Sequence, residues 1–398
     1  MKSQDSLDQS SLSLYLDSRS GLPKGEASGK VMLFGEYAVL EGASAILTAT
    51  PHRAKAHYLP LDYLNHIERI DAELGALLEQ SDLHQDQLKY VIIAFQWGRA
   101  LMLENKLGDL KHFGQDFELV KLCLKEASAP NGIYFIDTQS FGLSIDGKWQ
   151  KMGIGSSGAS SSALCNLLAQ LPEVTLQEDL SNPYNRFLFA QQQHRAVQGG
   201  LGSGADVACS TFGGLIEFKL NNNSNPTVQR LPSPLPRTWG LWKGGSFSTS
   251  HSLSQLKQWQ IQNLTQYQMH IANLTQASQR ALDLFEVADS NSIKQDDWCG
   301  VIDYAAEAMR NFSRTVSLPL WTDTHSKWSK LVQKNGGVIK STGAGGDDLT
   351  LFAAQSLSDE IRCLKLLERE CTLQGEPFHI FPLSSLILDE EVLAIQKP

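Results

Sequence analysis

The chain predicts a mixed fold of helices and strands, in the α+β or α/β class, on three observations. Its 398 residues exceed what one hydrophobic core usually serves, so two domains are expected and three are the upper alternative. Hydrophobic residues make up 42% and charged residues 19%, enough apolar material to build cores and too few charges for a disordered chain. Helical and strand-like patterns alternate in both halves, with no internal repeat.

In chain order, residues up to about Gly25 are polar, Ser-rich and unpatterned, and read as a loose arm whose last residues add to a sheet edge. The apolar run from Lys30 to Phe34 stops at Gly35 and is followed, across a Glu41-Gly42 turn, by a second run from Ala43 to Ala49; these read as paired strands. Ile67, Ile70, Leu74, Leu77 and Leu78 have helical spacing within His66 to Leu83. Val91, Ile92, Phe95 and Leu101 repeat it within Gln87 to Glu104, so two helices are expected. Gly132 to Asp137 and Phe141 to Trp149 read as a hairpin. Helices follow at about Ser157 to Gln170 and Tyr184 to Val197, then a strand from Gly213 to Lys219. The Asn-, Ser- and Pro-rich stretch from Asn221 to Pro236 marks the expected domain boundary. Beyond it come a strand at Trp239 to Lys243, a long helical stretch from Ser252 to Asp289 that reads as two helices, and strands at Val338 to Lys340 and Leu349 to Ala353. A helix from Ser358 to Leu373, ended near Gly375, and a strand from Phe378 to Phe381 close the series.

Thirty-four Lys and Arg against 43 Asp and Glu give a net charge of −9, which argues against a nucleic-acid coat or a polybasic membrane binder while leaving room for a local basic pocket. The N-terminal residues contain no apolar core of a signal peptide, and no stretch approaches the length of a membrane span, so a soluble, cytoplasmic protein is expected. Six cysteines without a CxxC pair or finger spacing read as reduced, buried thiols. The histidines show no metal-hydrolase spacing.

Three glycine-rich loops carry the chemical signal. In Met152-Gly153-Ile154-Gly155-Ser156-Ser157-Gly158-Ala159, glycines let backbone amides approach an anion, and the helix that follows begins with unpaired N–H groups. Such a loop either holds phosphate or is a Gly/Ser linker; it has neither the P-loop nor the dinucleotide-fold pattern. The second loop, Gln198 to Ala205, ends at Asp206, which is either a helix cap or a proton-transfer group. The third, Lys340 to Asp348, is either a tight hairpin or part of a site. Glycines weaken an element by about 0.5–1 kcal/mol each unless their backbone freedom is needed, so three such loops argue for a need.

In order and separation, the run from Lys30 to Gly42, the loop from Gly153 to Ser160 and the loop from Ser341 to Asp348 resemble the three signature motifs of the GHMP small-molecule kinases, over about Gly29 to Ala354. Within that superfamily the chain is most similar to the phosphomevalonate kinases. Tyr37 stands where mevalonate kinases favour histidine. Gly158 follows the paired serines, the Trp149 to Lys151 stretch precedes the loop, Asp347 or Asp348 falls inside the third motif, and the segments His194 to Gly199 and Gly240 to Ser250 also resemble that family. There are departures: Ile154 replaces the usual leucine, Gly346-Asp347-Asp348-Leu349 replaces Gly-Gly-Asp-Cys, and His194 occupies the place of a magnesium-binding glutamate of mevalonate kinases.

The resemblance implies a two-domain α+β fold: an arm over 1–25, an N-terminal ATP-binding domain over 26–222 similar to ribosomal protein S5 domain 2, and a ferredoxin-like C-terminal domain over 235–398, with ATP between the two. It implies that Gly153, Ile154, Gly155, Ser156, Ser157, Gly158 and Ala159 bind ATP, that Ser157 ligates Mg²⁺, and that Asp206 and Lys30 are catalytic. Glu36, Tyr37, His194, Ser203, Lys243, Ser248, Thr342, Gly343, Ala344 and Gly345 are the expected substrate contacts, and Arg195 and Lys340 are further candidate cations. The implied acceptor is 5-phosphomevalonate, with mevalonate and a catalytically silent binding protein as alternatives. No nucleic-acid or membrane partner is implied, and the chain is expected to be a monomer or homodimer.

Overall fold

The computed structural model describes residues 16–19, 21–63, 89–94, 99–103, 117–145, 148–174, 176, 179–200, 202–221, 224–231, 234–245, 249–287, 293–346 and 349–383. In chain order its elements are β1 (Lys24–Phe34), β2 (Ser44–Leu59), β3 (Tyr90–Ala94), β4 (Arg99–Leu103), α1 (Glu118–Glu126), β5 (Gly132–Asp137), β6 (Gly142–Ile145), β7 (Lys148–Lys151), α2 (Ser156–Leu168), α3 (Pro183–Val197) and α4 (Ala205–Phe212). There follow β8 (Leu215–Lys219), β9 (Thr227–Arg230), β10 (Trp239–Trp242), α5 (Thr249–Gln262), α6 (Leu264–Val287), α7 (Gln295–Val316), α8 (Asp323–Gln333), β11 (Gly337–Ser341), β12 (Thr350–Ala354), α9 (Leu357–Gln374) and β13 (His379–Pro382). The chain forms two compact units that alternate along the sequence. The first takes the described residues of Met1–Ser28, His52–Ser140 and Ser156–Gly199; the second takes those of Gly29–Pro51, Phe141–Gly155 and Gly200–Pro398.

In the first unit, β3 lies between β4, antiparallel, and β5, parallel, and the second half of β2 pairs with the other side of β5. The helix expected over Gln87 to Glu104 does not form. Tyr90–Ala94 and Arg99–Leu103 form β3 and β4 instead, because Tyr90-Val91-Ile92-Ile93 is a continuous run of an aromatic and three β-branched residues buried between two neighbouring strands, where periodicity alone does not separate strand from helix. The expected helix over His66 to Leu83 lies at 64–88, outside the described residues. The α2 helix presents small buried residues, Gly158, Ala159, Ser162 and Ala163, so neighbours approach it closely. Ser161 Oγ donates to Ala190 O of α3 at 3.2 Å, and the side-chain amides of Asn166 and Gln170 donate to Glu26 O and Lys24 O of β1.

In the second unit, the first half of β2 pairs antiparallel with β8, and β8 with β9. The hairpin expected from Gly132–Asp137 and Phe141–Trp149 is wired differently. Gly132–Asp137 is a strand of the first unit's sheet, and the hairpin is β6 with β7, Gly142 to Ile145 pairing antiparallel with Lys148 to Lys151. A four-stranded antiparallel sheet in the order β11-β12-β10-β13 buries Trp239, Leu241, Ile339 and Phe352 against Trp328 and Val332 of α8 and Leu364 and Leu367 of α9. Each such side chain contributes about 1.5–3 kcal/mol through burial. A second cluster joins Tyr267, Ile271 and Leu274 of α6 to Met309 and Phe312 of α7, with Tyr37, Val316 and Leu320.

The long stretch after the expected boundary is two helices, α5 and α6, as its pattern indicates, and α9 ends at Gly375, whose φ of +66° is the left-handed stop that glycine accepts. α7 and α8 have no counterpart among the elements expected from the sequence. All six cysteines are free and buried, as expected. Among the described residues, no helix is long and apolar enough to cross a membrane.

Candidate active site

Lys30 lies on β1, where its N–H donates to Ile154 O at 2.8 Å and fixes the first glycine loop against the strand. Gly155 has φ +79°, and a Cβ there would fall 2.9 Å from Lys30 Cε and 3.0 Å from Cγ. The missing side chain is what lets the lysine stem lie across the loop. Asp206 stands in the first turn of α4, whose N-cap is Gly204, so the aspartate is not the cap itself. Cys209, one turn on, feels both charges. Burial pushes its thiol up to about 12, Lys30 pulls it down and Asp206 pushes it up, which puts the lysine and the aspartate in one electrostatic neighbourhood. Ser203 Oγ accepts from Ala205 N at 3.2 Å and steadies the entry to the helix.

The first and third motifs are tied together by two bonds within this unit. Lys340, fully buried on β11, forms an ion pair with Glu36, which is 2% exposed, and donates a further hydrogen bond to Ser341 O at 2.8 Å. Burial raises the Glu36 carboxyl above the ordinary glutamate range, opposed by Lys340 and by Lys30. Tyr37, held at φ +60°, donates from its hydroxyl to Ala344 O at 2.7 Å. Burial also moves the Tyr37 phenol upward, so it remains a donor at neutral pH. The third loop is seated from below by the chain after α7: Gly346 N donates to Pro319 O at 2.7 Å, and a Cβ on Gly345 (φ +83°) would come within 2.5 Å of Leu320 Cα. Thr342 N and Oγ1 both donate to Leu349 O across the loop, at 3.2 and 3.1 Å, while Gly343 at the tip has open space around its Cα.

The first glycine loop passes into the first unit at the Gly155–Ser156 peptide bond, and α2 starts at Ser156. There Ser157 Oγ lies 3.1 Å from Nε2 of His194, which is 3% exposed on α3, and Gln198 Nε2 lies 3.3 Å from the same ring nitrogen. Ser157, His194 and Gln198 thus meet at one ring nitrogen at the start of α2, which fixes the position of the Ser157 hydroxyl. Among the described residues no group of three or more His, Cys, Asp or Glu is placed to hold a metal. A magnesium ion held by one hydroxyl and by substrate phosphates needs no such group.

Lys243 follows β10 and pairs with Glu376 at 3.1 Å, Arg195 is exposed on α3, and Ser248 lies outside the described residues. Lys340 is not the surface lysine that its residue type suggests. The Glu36–Lys340 pair and the Tyr37–Ala344 bond span 304 and 307 residues, and only the first-with-third motif order hinted at them.

No family model matches the chain. Among curated proteins, it is 25% identical over 366 residues to the phosphomevalonate kinase of Streptomyces sp. (strain CL190), covering 84% of this chain and 90% of that protein. Among solved structures, it is similar to the Lin0012 protein of Listeria innocua (TM-score 0.69, 19% identity, 90% of this chain and 97% of that one). It is also similar to Streptococcus pneumoniae phosphomevalonate kinase in complex with phosphomevalonate and AMPPNP (TM-score 0.63, 16% identity, 90% and 99%). A third is L. major mevalonate kinase in complex with R-mevalonate (TM-score 0.60, 16% identity, 92% and 95%).

Proposed function

Because this chain has the α+β fold of the GHMP kinases and resembles phosphomevalonate kinase in sequence, we propose that it transfers the γ-phosphoryl group of ATP to 5-phosphomevalonate, giving ADP and 5-diphosphomevalonate. The observation that carries this reading is Lys30, laid across Gly155 of the first glycine loop and sharing its surroundings with Asp206.

Phosphoryl transfer asks for positioning and for positive charge near the transferred group, and leaves little covalent work to side chains. The amides and hydroxyls of Gly153 to Ala159 bind the nucleotide phosphates. Lys30 neutralises charge on the γ-phosphate. Asp206 orients the accepting oxygen, or takes its proton where the acceptor is an alcohol. A phosphate monoester acceptor is already anionic near neutral pH, so there Asp206 acts by placement. Ser157, its hydroxyl positioned by His194, would hold Mg²⁺, which when bound would supply further neutralisation of the phosphate oxygens. Glu36 and Tyr37 hold the third loop, through Lys340 and Ala344, in the conformation that binds substrate.

Mevalonate is the second reading, and one observation favours it. Two cations expected to meet an anionic acceptor, Lys243 and Lys340, are each neutralised by a carboxylate. ADP release measured side by side with ATP, Mg²⁺ and either mevalonate or its 5-phosphate tests both readings. A higher kcat/KM for the 5-phosphate supports the first, a higher value for mevalonate supports the second, and no turnover with either supports a silent binding protein.

A further inference from the structure

We propose that a cavity formed by the end of α7, residues 317–322 and the start of α8 binds a small phosphorylated hydroxy compound, with Arg310 and Arg314 taking the phosphate. The cavity has a volume of about 440 Å³, within the range of small-molecule pockets and large enough for a sugar phosphate rather than a bare ion. None of its lining residues belongs to the three glycine loops.

Arg310 and Arg314 are four residues apart and share one face of α7. The Arg310 guanidinium stacks over the Trp321 ring, 4.8 Å from its centroid, and spends one nitrogen on Glu307 at 2.6 Å, which fixes the planar fork while leaving other donors open. Arg314 makes no ion pair among the described residues. Glu307 balances Arg310 and Asp323 balances Arg314 in number, so what the cavity offers an anion is directed guanidinium donors, the Arg314 fork above all, and not an excess of charge.

The walls are fixed before any ligand arrives. Ser313 Oγ donates to Leu318 O at 2.6 Å and accepts from Trp321 N at 3.0 Å, and Trp321 Nε1 donates to Ser326 Oγ at 3.0 Å. A preformed wall removes ordering cost from binding. At the rim, Ser317, an exposed residue, closes α7 in the left-handed region at φ +55°, a place where glycine is unstrained and serine is not. Asp323 lines the other side. Its carboxylate repels a second anionic group and accepts hydrogen bonds from hydroxyls, so the matching ligand has a phosphate at one end and a hydroxyl at the other.

Isothermal titration of the full chain with glycerol 3-phosphate tests the site, with glycerol and inorganic phosphate as controls. Saturable binding is expected that Arg314→Gln weakens about tenfold or more, as loss of a charge-assisted contact implies, while Lys30→Met changes it less than about twofold. Glycerol binds undetectably and inorganic phosphate more weakly than the ester. Ser317→Gly gives a second, opposed pair of readouts: thermal stability rises as the backbone strain is relieved, and glycerol 3-phosphate affinity falls. Absence of binding at millimolar ester, loss of binding in Lys30→Met instead of Arg314→Gln, equal affinity for glycerol, or unchanged affinity in Ser317→Gly would each overturn the assignment. None of these outcomes depends on kinase turnover.

Discussion

Replacing Lys340 by methionine removes one member of an ion pair whose partners are 0% and 2% exposed, and leaves Glu36 without its principal counter-charge. Breaking a buried pair by removing one partner costs about 3–5 kcal/mol, because the remaining charge must be neutralised or left unpaired. The lost bond to Ser341 O falls within that figure. Replacing both partners, as Glu36→Leu with Lys340→Met, removes the stranded charge and should cost no more than about 1–2 kcal/mol, which against two single costs of about 3–5 kcal/mol each leaves a coupling of about 4 kcal/mol or more. Urea unfolding followed by tryptophan emission suits the measurement, since every tryptophan but Trp97 falls in the residue ranges of the second unit. The penalty also depends on pH. A carboxyl raised in the folded state binds more protons than the unfolded chain, so stability is greatest below its ordinary value of 4.5 and is lost as pH rises. Without Lys340 the Glu36 carboxyl rises further, and the cost of Lys340→Met should therefore be larger at pH 7 than near pH 5. A single-variant cost under about 1 kcal/mol, or two single costs that simply add to the double, would refute the reasoning.

Tyr37→Phe deletes the donor to Ala344 O and should cost about 1 kcal/mol in stability, with faster hydrogen exchange at Gly343 to Gly345; unchanged exchange there would deny the bond its role in holding the third loop. His57, buried on β2 with Asp17 3.4 Å away, has its pKa lowered by burial, only partly opposed by that carboxylate. The unfolded chain then binds more protons, so this contribution is fully present above pH 6.5 and declines as pH falls from there to the depressed value. His57→Phe should flatten the stability profile in that window, measured by thermal unfolding against the parent, while His270 and His379, also lowered by burial, keep a residual slope.

The parts of the fold legible in the sequence are those set by local chemistry. Gly375 stops α9, Asn182 and Pro183 open α3 with a cap bond from Tyr184 N to Asn182 Oδ1, and Trp239 to Trp242 reads as a strand because it is short, apolar and bounded by turn residues. The strand pair β3 and β4 is not legible there, since an apolar run of that length suits a buried strand and a helix equally until its neighbours are known. α7 is different: Trp298, Ile302, Ala305, Met309 and Phe312 recur at helical spacing, a pattern that the residue order alone contains. At the candidate site, residue types and motif order mark Lys30, Asp206 and Ser157. Composition does not show that Lys340 is buried, or that Glu36 and Tyr37 face the third loop, because those contacts join residues some 300 positions apart.

In the proposed reaction Lys30 and Asp206 act on a phosphoryl group held by the first glycine loop. Phosphorus NMR of ATP, Mg²⁺ and 5-phosphomevalonate incubated with the protein tests it most directly. A coupled pair of diphosphate-ester resonances should grow one for one with ADP, and Asp206→Ala, which removes the carboxylate that places the acceptor, should lower the rate about a hundredfold with nucleotide affinity nearly unchanged. Inorganic phosphate as the only new product, or an Asp206→Ala variant as fast as the parent, would contradict it.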